Sequence, residues 1–378
     1  MQTFIISDNI ISPLGSTTAE NFIKVSKGKS GINLVDNDLY STSSIFASGV
    51  SRAGELQSPD VKSYTRFEKL CIDSISGALA KAGIDGSEQD TIFILSTTKG
   101  NIELIENNGH EDVLPKVSLE HTAGLISTHF KAANQPIVVS NACISGVLAI
   151  IMAKRLLESG KYRNAIVTGA DVLSKFVVSG FQSLMAMSDE PCRPFDKDRK
   201  GINLGEGAAT VIMTTNKALT DPNSILVQGE GLTNDANHIS GPSRTGQELA
   251  DAVKKAMSKS NVKTDDLSFI SSHGTATVYN DEMESKAFDI AGLNEVPLHS
   301  LKGYFGHTLG AAGVIETIMT IESLRNKCIL PSANFSEPGV PKSLNVNTDL
   351  VDSDKLHALK TASGFGGCNA AVIYSRVN

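Results

Sequence analysis

The sequence predicts a layered α/β fold built from two similar halves, and three observations carry that expectation. Short apolar runs bounded by turn residues recur along the chain, at residues 3–7, 91–97, 136–142, 164–170, 209–215, 224–230, 267–273 and 370–376. Each has the length and composition of a buried strand. Helix-like stretches lie between several of them, 144–160 and 246–260 being the clearest, and such alternation is the pattern of stacked α/β layers. Finally, residues 205–213 (Gly-Glu-Gly-Ala-Ala-Thr-Val-Ile-Met) and 366–374 (Gly-Gly-Cys-Asn-Ala-Ala-Val-Ile-Tyr) each send a glycine turn into an apolar strand. A duplicated fold whose halves, 1–222 and 223–378, each end on such a strand would explain the likeness.

Composition narrows the function classes. With 378 residues, 40% hydrophobic and 20% charged, the chain can bury a large core, which excludes disordered and collagen-like readings. The 32 glycines against 12 prolines point to tight turns rather than stiff linkers. A formal charge of −7 argues against nucleic-acid binding, which needs a dense Lys/Arg surface to neutralise phosphates. Cys71, Cys143, Cys192, Cys328 and Cys368 are odd in number and form no Cys-x-x-Cys pair, so neither a disulfide framework nor a zinc site is expected. The N-terminal residues lack a basic segment followed by a long apolar run, and no stretch approaches a bilayer span. A reducing cytoplasm is the expected location, without membrane insertion.

Three segments carry chemistry. In residues 136–149 a strand runs through small residues into an apolar helix and leaves Cys143 near the helix N-terminus. The positive end of a helix favours thiolate, and backbone N–H groups there can hold an oxyanion. Read alone, Cys143 is equally a small buried hydrophobe. His273, in Ser-Ser-His273-Gly-Thr-Ala-Thr277, follows a strand, at the carboxyl end where open α/β folds place their sites. His307, in Lys302-Gly-Tyr-Phe-Gly-His307-Thr-Leu-Gly-Ala-Ala-Gly313, stands among glycines at the mouth of a helix. Either histidine alone is more often a satisfied core or loop residue, as are the other six. Two neutral imidazoles donating to one carbonyl oxygen would stabilise an enolate, the species formed when a malonyl thioester loses carbon dioxide. Asp281 and Glu284 follow His273 without a close second histidine, so no recognised metal-ligand spacing results and no metal is expected.

Taken together, Asn-Ala-Cys143, His273-Gly-Thr-Ala-Thr277 and Lys302…Gly306-His307-Thr-Leu-Gly-Ala-Ala-Gly resemble the Cys-His-His signature of elongating β-ketoacyl-acyl-carrier-protein synthases. Further landmarks extend the likeness over nearly the whole chain: Ile11-Ser-Pro-Leu-Gly15, Arg193-Pro-Phe-Asp196, Arg199, Gly205-Glu-Gly207, Asp281 with Glu284, Pro331-Ser-Ala-Asn334 and Ser363-Gly-Phe-Gly-Gly-Cys-Asn369. The resemblance implies a thiolase fold, five α/β/α/β/α layers in two duplicated halves, with the nucleophile in the first and both histidines in the second. It implies that Cys143 takes an acyl chain from an acyl carrier protein and that His273 and His307 stabilise the enolate of malonyl-ACP. By the same likeness Lys302 orients the surroundings of His307, and the N–H groups of Cys143 and Phe365 form the oxyanion hole. Phe365 would be a gate, and Thr275 and Thr277 would contact phosphopantetheine. Glu316 matches a carboxylate taken as structural, with a solvated helix position as its alternative. Cys368 stands where the family has threonine and should be inert. The segment of about 98–134 is shorter than the family's, which bears on the acyl pocket and the dimer contacts.

No resident cofactor is expected, since phosphopantetheine arrives on the carrier protein. Partners are that carrier and a second subunit, in a homodimer or a heterodimer. A thiolase would need a second catalytic cysteine for which Cys368 is misplaced, and an initiating synthase would resemble a Cys-His-Asn pattern. The rival from another class is a chain-length factor, a pocket-shaping partner subunit; such subunits resemble the family but lack the nucleophile.

Overall fold

The computed structural model describes residues 1–35, 40–50, 64–107 and 110–377. Its centre is a ten-stranded sheet made of β1 (Thr3–Ile11), β2 (Thr91–Ser96), β3 (Ile137–Val139), β4 (Asn164–Asp171), β5 (Gly207–Thr214), β6 (Ile225–Asn234), β7 (Leu267–Ser271), β8 (Leu298–His299), β9 (His357–Gly364) and β10 (Cys368–Arg376). The spatial order is β3-β2-β4-β5-β1 in the first five and β8-β7-β9-β10-β6 in the second five. Directions repeat as well. β2 runs parallel to β3 and β4, as β7 does to β8 and β9, and the remaining pairs are antiparallel in both sets. The two sets join edge to edge where β1 meets β6, Phe4 lying opposite Leu226.

The helices repeat in the same way. α1 (Arg66–Leu79), α2 (Leu119–His129) and α3 (Ser145–Glu158) interleave with the first set of strands, and α4 (Gln247–Ser260), α5 (Val278–Ala291) and α6 (Ala312–Arg325) with the second. Local chemistry sets several ends. Thr65 and Glu68 form a reciprocal capping box on α1, and Asn261 closes α4 in the left-handed conformation that asparagine tolerates. α3 and α6 are apolar on most faces, so they must be enclosed rather than lie on a surface. They form the middle layer, packed with residues of both strand sets in one core cluster. α1 and α2 cover the outer face of the first set, and α4 and α5 that of the second. The result is the five-layered thiolase arrangement that the resemblance implied.

One close approach fixes the site. A Cβ on Gly146, the second residue of α3, would lie 2.7 Å from Val314 N and 2.9 Å from Gly313 Cα, so the N-terminal turns of α3 and α6 touch backbone to backbone. Any larger side chain at Gly146 would wedge the two helices apart. The residues just ahead of those helices, Cys143 and His307, are thereby brought together.

Candidate active site

Cys143 occupies the turn between β3 and α3. Ala142 before it has φ of +43°, a left-handed conformation that costs a residue with a side chain about 1–2 kcal/mol. Ser145 holds the turn, donating from Oγ to Ala142 O at 2.6 Å and accepting from Asn141 N at 2.7 Å. Cys143 thus stands one residue ahead of the N-cap of α3, Ile144, which offers no side-chain cap. Burial works against the thiolate expected from that position. Burial pushes the Cys143 thiol up to about 11, against the opposing pull of the Lys302 charge and the Phe365 N–H. Desolvation is the largest influence on this thiol and works against the ionisation that a helix end favours.

His273 stands two residues past the end of β7. Glu284 of α5 accepts from His273 N at 2.8 Å and from Gly274 N at 2.6 Å, which fixes the turn. His307 is anchored to the segment ahead of β5: its N donates to Asn203 O at 2.7 Å, and its O accepts from Gly205 N at 3.0 Å. The imidazoles lie edge to face with centroids 5.3 Å apart, and the ligating atoms of Cys143, His273 and His307 fall within 4.8 Å of one another.

The protonation of both rings follows from their partners. Leu309 N–H points at His307 Nδ1 at 3.4 Å; an N–H cannot accept, so Nδ1 is the bare nitrogen and the proton sits on Nε2. The Lys302 ammonium faces His273 Nδ1 at 3.4 Å and imposes the same tautomer. Burial, reinforced by the positive charges of Lys302 and Lys360, holds both imidazoles well below their ordinary range and so neutral. Among the described residues His307 Nε2 has no hydrogen-bond partner. Two Nε2–H donors with room between them are what a developing enolate oxygen requires.

Lys302 is buried rather than solvated. It donates to His273 O at 2.9 Å and pairs with Glu316 Oε1 at 2.5 Å. Glu316 is also buried, so the solvated alternative for it is overturned, and its other oxygen pairs with Lys360 at 2.7 Å. Burial works to raise the Glu316 pKa, but the two lysines overcome it and hold the carboxyl below its usual value.

A pocket of about 460 Å³ opens onto this chemistry, lined by Cys143, His273, His307, Thr275, Thr277 and Phe365 among others. Every predicted site residue except Lys302 reaches it, and Lys302 lies directly behind His273. Thr275 and Thr277 share a hydrogen bond at 2.8 Å between their hydroxyls on one wall. Phe365 is 38% exposed, stacks on Phe181 at 6.0 Å and is followed by Gly366 and Gly367, both with positive φ. Gly364 is confined: a Cβ there would lie 3.0 Å from Cys143 N. All five cysteines are free, and Cys368 Sγ sits 3.1 Å from both Asn141 Oδ1 and Asn234 Nδ2.

Sequence reasoning missed two supporting residues. Asp171, at the end of β4, accepts from Thr98 N at 3.0 Å, from Thr97 Oγ1 at 2.8 Å and from Gly310 N at 2.7 Å, which pins the turn after His307. Lys360 lies within β9; a lysine inside an Ala- and Leu-containing stretch was its only signal.

Comparisons with known proteins show the family. Residues 4–218 match the model of the beta-ketoacyl synthase N-terminal domain, and residues 225–336 that of the C-terminal domain. The 3-oxoacyl-[acyl-carrier-protein] synthase 2 of Vibrio cholerae is 28% identical over 97% of each chain, and nodulation protein E of Rhizobium leguminosarum bv. trifolii 27% over 96% of each. Among solved structures, the complex of the ketosynthase ApeO with its chain length factor ApeC from Xenorhabdus doucetiae superposes with a TM-score of 0.89 at 25% identity, covering 100% of this chain and 98% of the other. A beta-ketoacyl synthase from Burkholderia phymatum gives 0.88 at 25% identity with complete coverage of both chains. The chain belongs to the beta-ketoacyl synthase family of condensing acyltransferases.

Proposed function

We propose that this chain is a β-ketoacyl-ACP synthase that elongates an acyl thioester held on Cys143 with malonyl-ACP, in a fatty-acid or polyene/polyketide-type pathway. The observation that carries the reading is the meeting of one thiol and two neutral Nε2–H imidazoles within 4.8 Å of one another on the floor of one pocket. In the first step Cys143 Sγ bonds to the acyl carbon, the bond to the pantetheine sulfur breaks, and the cysteine proton ends on the leaving thiol. Malonyl-ACP then loses carbon dioxide. The electron pair of that bond passes into an enolate whose oxygen lies between His273 and His307. The enolate carbon attacks the acyl-enzyme; the Cys143 and Phe365 N–H groups receive the tetrahedral oxyanion, and its collapse expels the cysteine as a thiolate, which takes up a proton from solvent. Phe365 swings aside between the two half-reactions, the glycines around it absorbing the backbone change. Thr275 and Thr277 bind the pantetheine arm.

The two half-molecules, 1–222 and 223–378, act as one catalytic unit with no metal. The Cys-His-His spacing would suit an ion, but the positive charge of Lys302 beside His273 opposes one. The carrier protein docks through basic residues, so the rate with ACP substrates falls as salt rises, whereas a flat response would remove that docking mode. The second subunit is another copy or a related chain. The complex of ApeO with its chain length factor makes the heterodimer the second reading, in which this chain supplies the nucleophile; a purely pocket-shaping role is disfavoured because the whole catalytic set is present.

Intact-mass analysis after incubation with a panel of acyl-ACPs tests the reading. Wild type acquires one acyl group and Cys143→Ala none, while Cys143→Ala keeps its fold by circular dichroism. An adduct on both proteins, or on neither, would sink the assignment of Cys143.

A further inference from the structure

Behind the two imidazoles lies a buried ammonium to which the condensation assigns no task. Lys360 is fully buried in the middle of β9, where an apolar side chain would be expected. Its Nζ lies 2.6 Å from Thr361 O, 3.3 Å from Ser271 O and 3.4 Å from Ser272 O, and pairs with Glu316 Oε2 at 2.7 Å. Three carbonyls and a carboxylate form an oxygen cage of the kind that holds a monovalent cation, here filled by an ion tethered to the chain.

Each partner in the cage leads to the site. Ser271 and Ser272 are the two residues ahead of His273. Glu316 carries Lys302, and Lys302 in turn holds His273 O and faces His273 Nδ1. A buried carboxylate that lost one of its two lysines would be harder to keep ionised, and its grip on Lys302 would loosen. Backbone pairing between β7 and β9 needs no lysine, so strand structure alone does not account for the residue.

We propose, on the footing of the condensing function above, that Lys360 is a positioning residue of the active site: a built-in cation that keeps Glu316 ionised and fixes the peptide carrying His273, and whose cage accepts a small external ammonium once the side chain is removed. The groups bearing on the imidazoles are Lys302 on the short helix Lys302–Phe305, Lys360 on β9, each imidazole on the other, Glu284 on α5 through the His273 N–H, and the Cys143 thiol; Glu316 on α6 pairs with the two lysines, and buried His299 on β8 senses Lys360 and Glu316. Deleting the Lys360 charge removes one of the two cations that keep both rings neutral. The acid limb of the decarboxylation rate therefore moves to higher pH.

The experiment compares wild type, Lys360→Ala and Lys360→Met in malonyl-ACP decarboxylation and in acylation of Cys143. Lys360→Ala is expected to lose about 100-fold in the decarboxylation rate constant with an unchanged KM. Methylammonium chloride should restore at least about tenfold of that loss, and tetramethylammonium chloride at equal ionic strength should restore none, being too large for the cage. Lys360→Met fills the same volume without charge. It should show the shifted acid limb and no amine rescue, and it carries the test if the alanine variant is insoluble. Unchanged decarboxylation in the variants, or a loss with neither amine rescue nor a shifted limb, overturns the proposal and leaves Lys360 a core residue. If wild-type Cys143 accepts no acyl group, it is the condensing function that has failed, and the two failures are told apart by that control.

Discussion

The two halves of the molecule share one topology and divide the chemistry unequally. At the end of the second strand of each repeat stand Thr97 and Thr98 in the first half, and Ser272 and His273 in the second. Ahead of the middle helix stand Cys143 and His307, and at the end of the fourth strand Asp171 and Gly364. The supports cross over. Asp171 of the first half holds Gly310 N in the turn after His307, while Gly364 and Phe365 of the second half press on the backbone and thiol of Cys143. Each half thus buttresses a candidate catalytic side chain of the other. A site built this way needs both halves docked, and the Gly146–Gly313 contact that docks them leaves no room for a side chain.

The division predicts separable half-reactions. His273→Ala and His307→Ala should still accept an acyl group on Cys143, because the nucleophile and its two N–H donors are untouched. Release of carbon dioxide from malonyl-ACP should fall by about 100- to 1000-fold in either variant, the usual cost of one lost oxyanion donor. Radiolabelled carbon dioxide measures the second step and intact mass the first. Equal loss of both steps would break the division. The depressed imidazole pKa values add a sign. The rings stay neutral in the folded protein below pH 6.5, so decarboxylation persists there, while stability falls as pH drops below 6.5 because the unfolded chain gains protons first.

How much of this was legible in the sequence depended on what each residue touches. Cys143, His273 and His307 announce themselves because small residues and glycines must surround them, and those residues sit beside them in the chain. The apolar runs announce eight of the sheet strands, since burial on both faces leaves them almost without polar residues. β9 was missed because Lys360, Thr361 and Ser363 make it look polar, and the partners of the first two lie on Ser271, Glu316 and Glu284, far away in sequence. β8 spans only Leu298–His299, too short to show a period. Asp171 escaped for the same reason as Lys360: its partner Gly310 is 139 residues away. The state of the Cys143 thiol was not legible because a local signal, the helix end, competes with burial, which only the assembled fold creates.

That competition supplies the next prediction. With its pKa pushed up to about 11 from 9.0, Cys143 has a thiolate fraction about a hundredfold smaller at neutral pH than an unshifted thiol. Alkylation by iodoacetamide, followed at Cys143 by peptide mass, should be slow at pH 7 and climb without levelling through pH 10. A plateau below pH 8 would restore the thiolate and make the helix end the stronger effect.

The smallest expected effect tests the crossed supports. Asp171→Asn keeps the size of the side chain but replaces one accepting oxygen by a donor, which then faces the N–H of Gly310 or of Thr98. A buried donor set against a donor costs about 1–3 kcal/mol, and the turn that carries His307 should relax away from it. Because Asp171 belongs to the first half and the turn to the second, the damage should appear in the wrong half for its sequence position: decarboxylation falls about tenfold, as for a modest displacement of a positioned group, while acylation of Cys143 stays within about twofold. If acylation suffers more than decarboxylation, Asp171 supports its own half, and the reciprocal arrangement gives way to two halves that each hold their own chemistry.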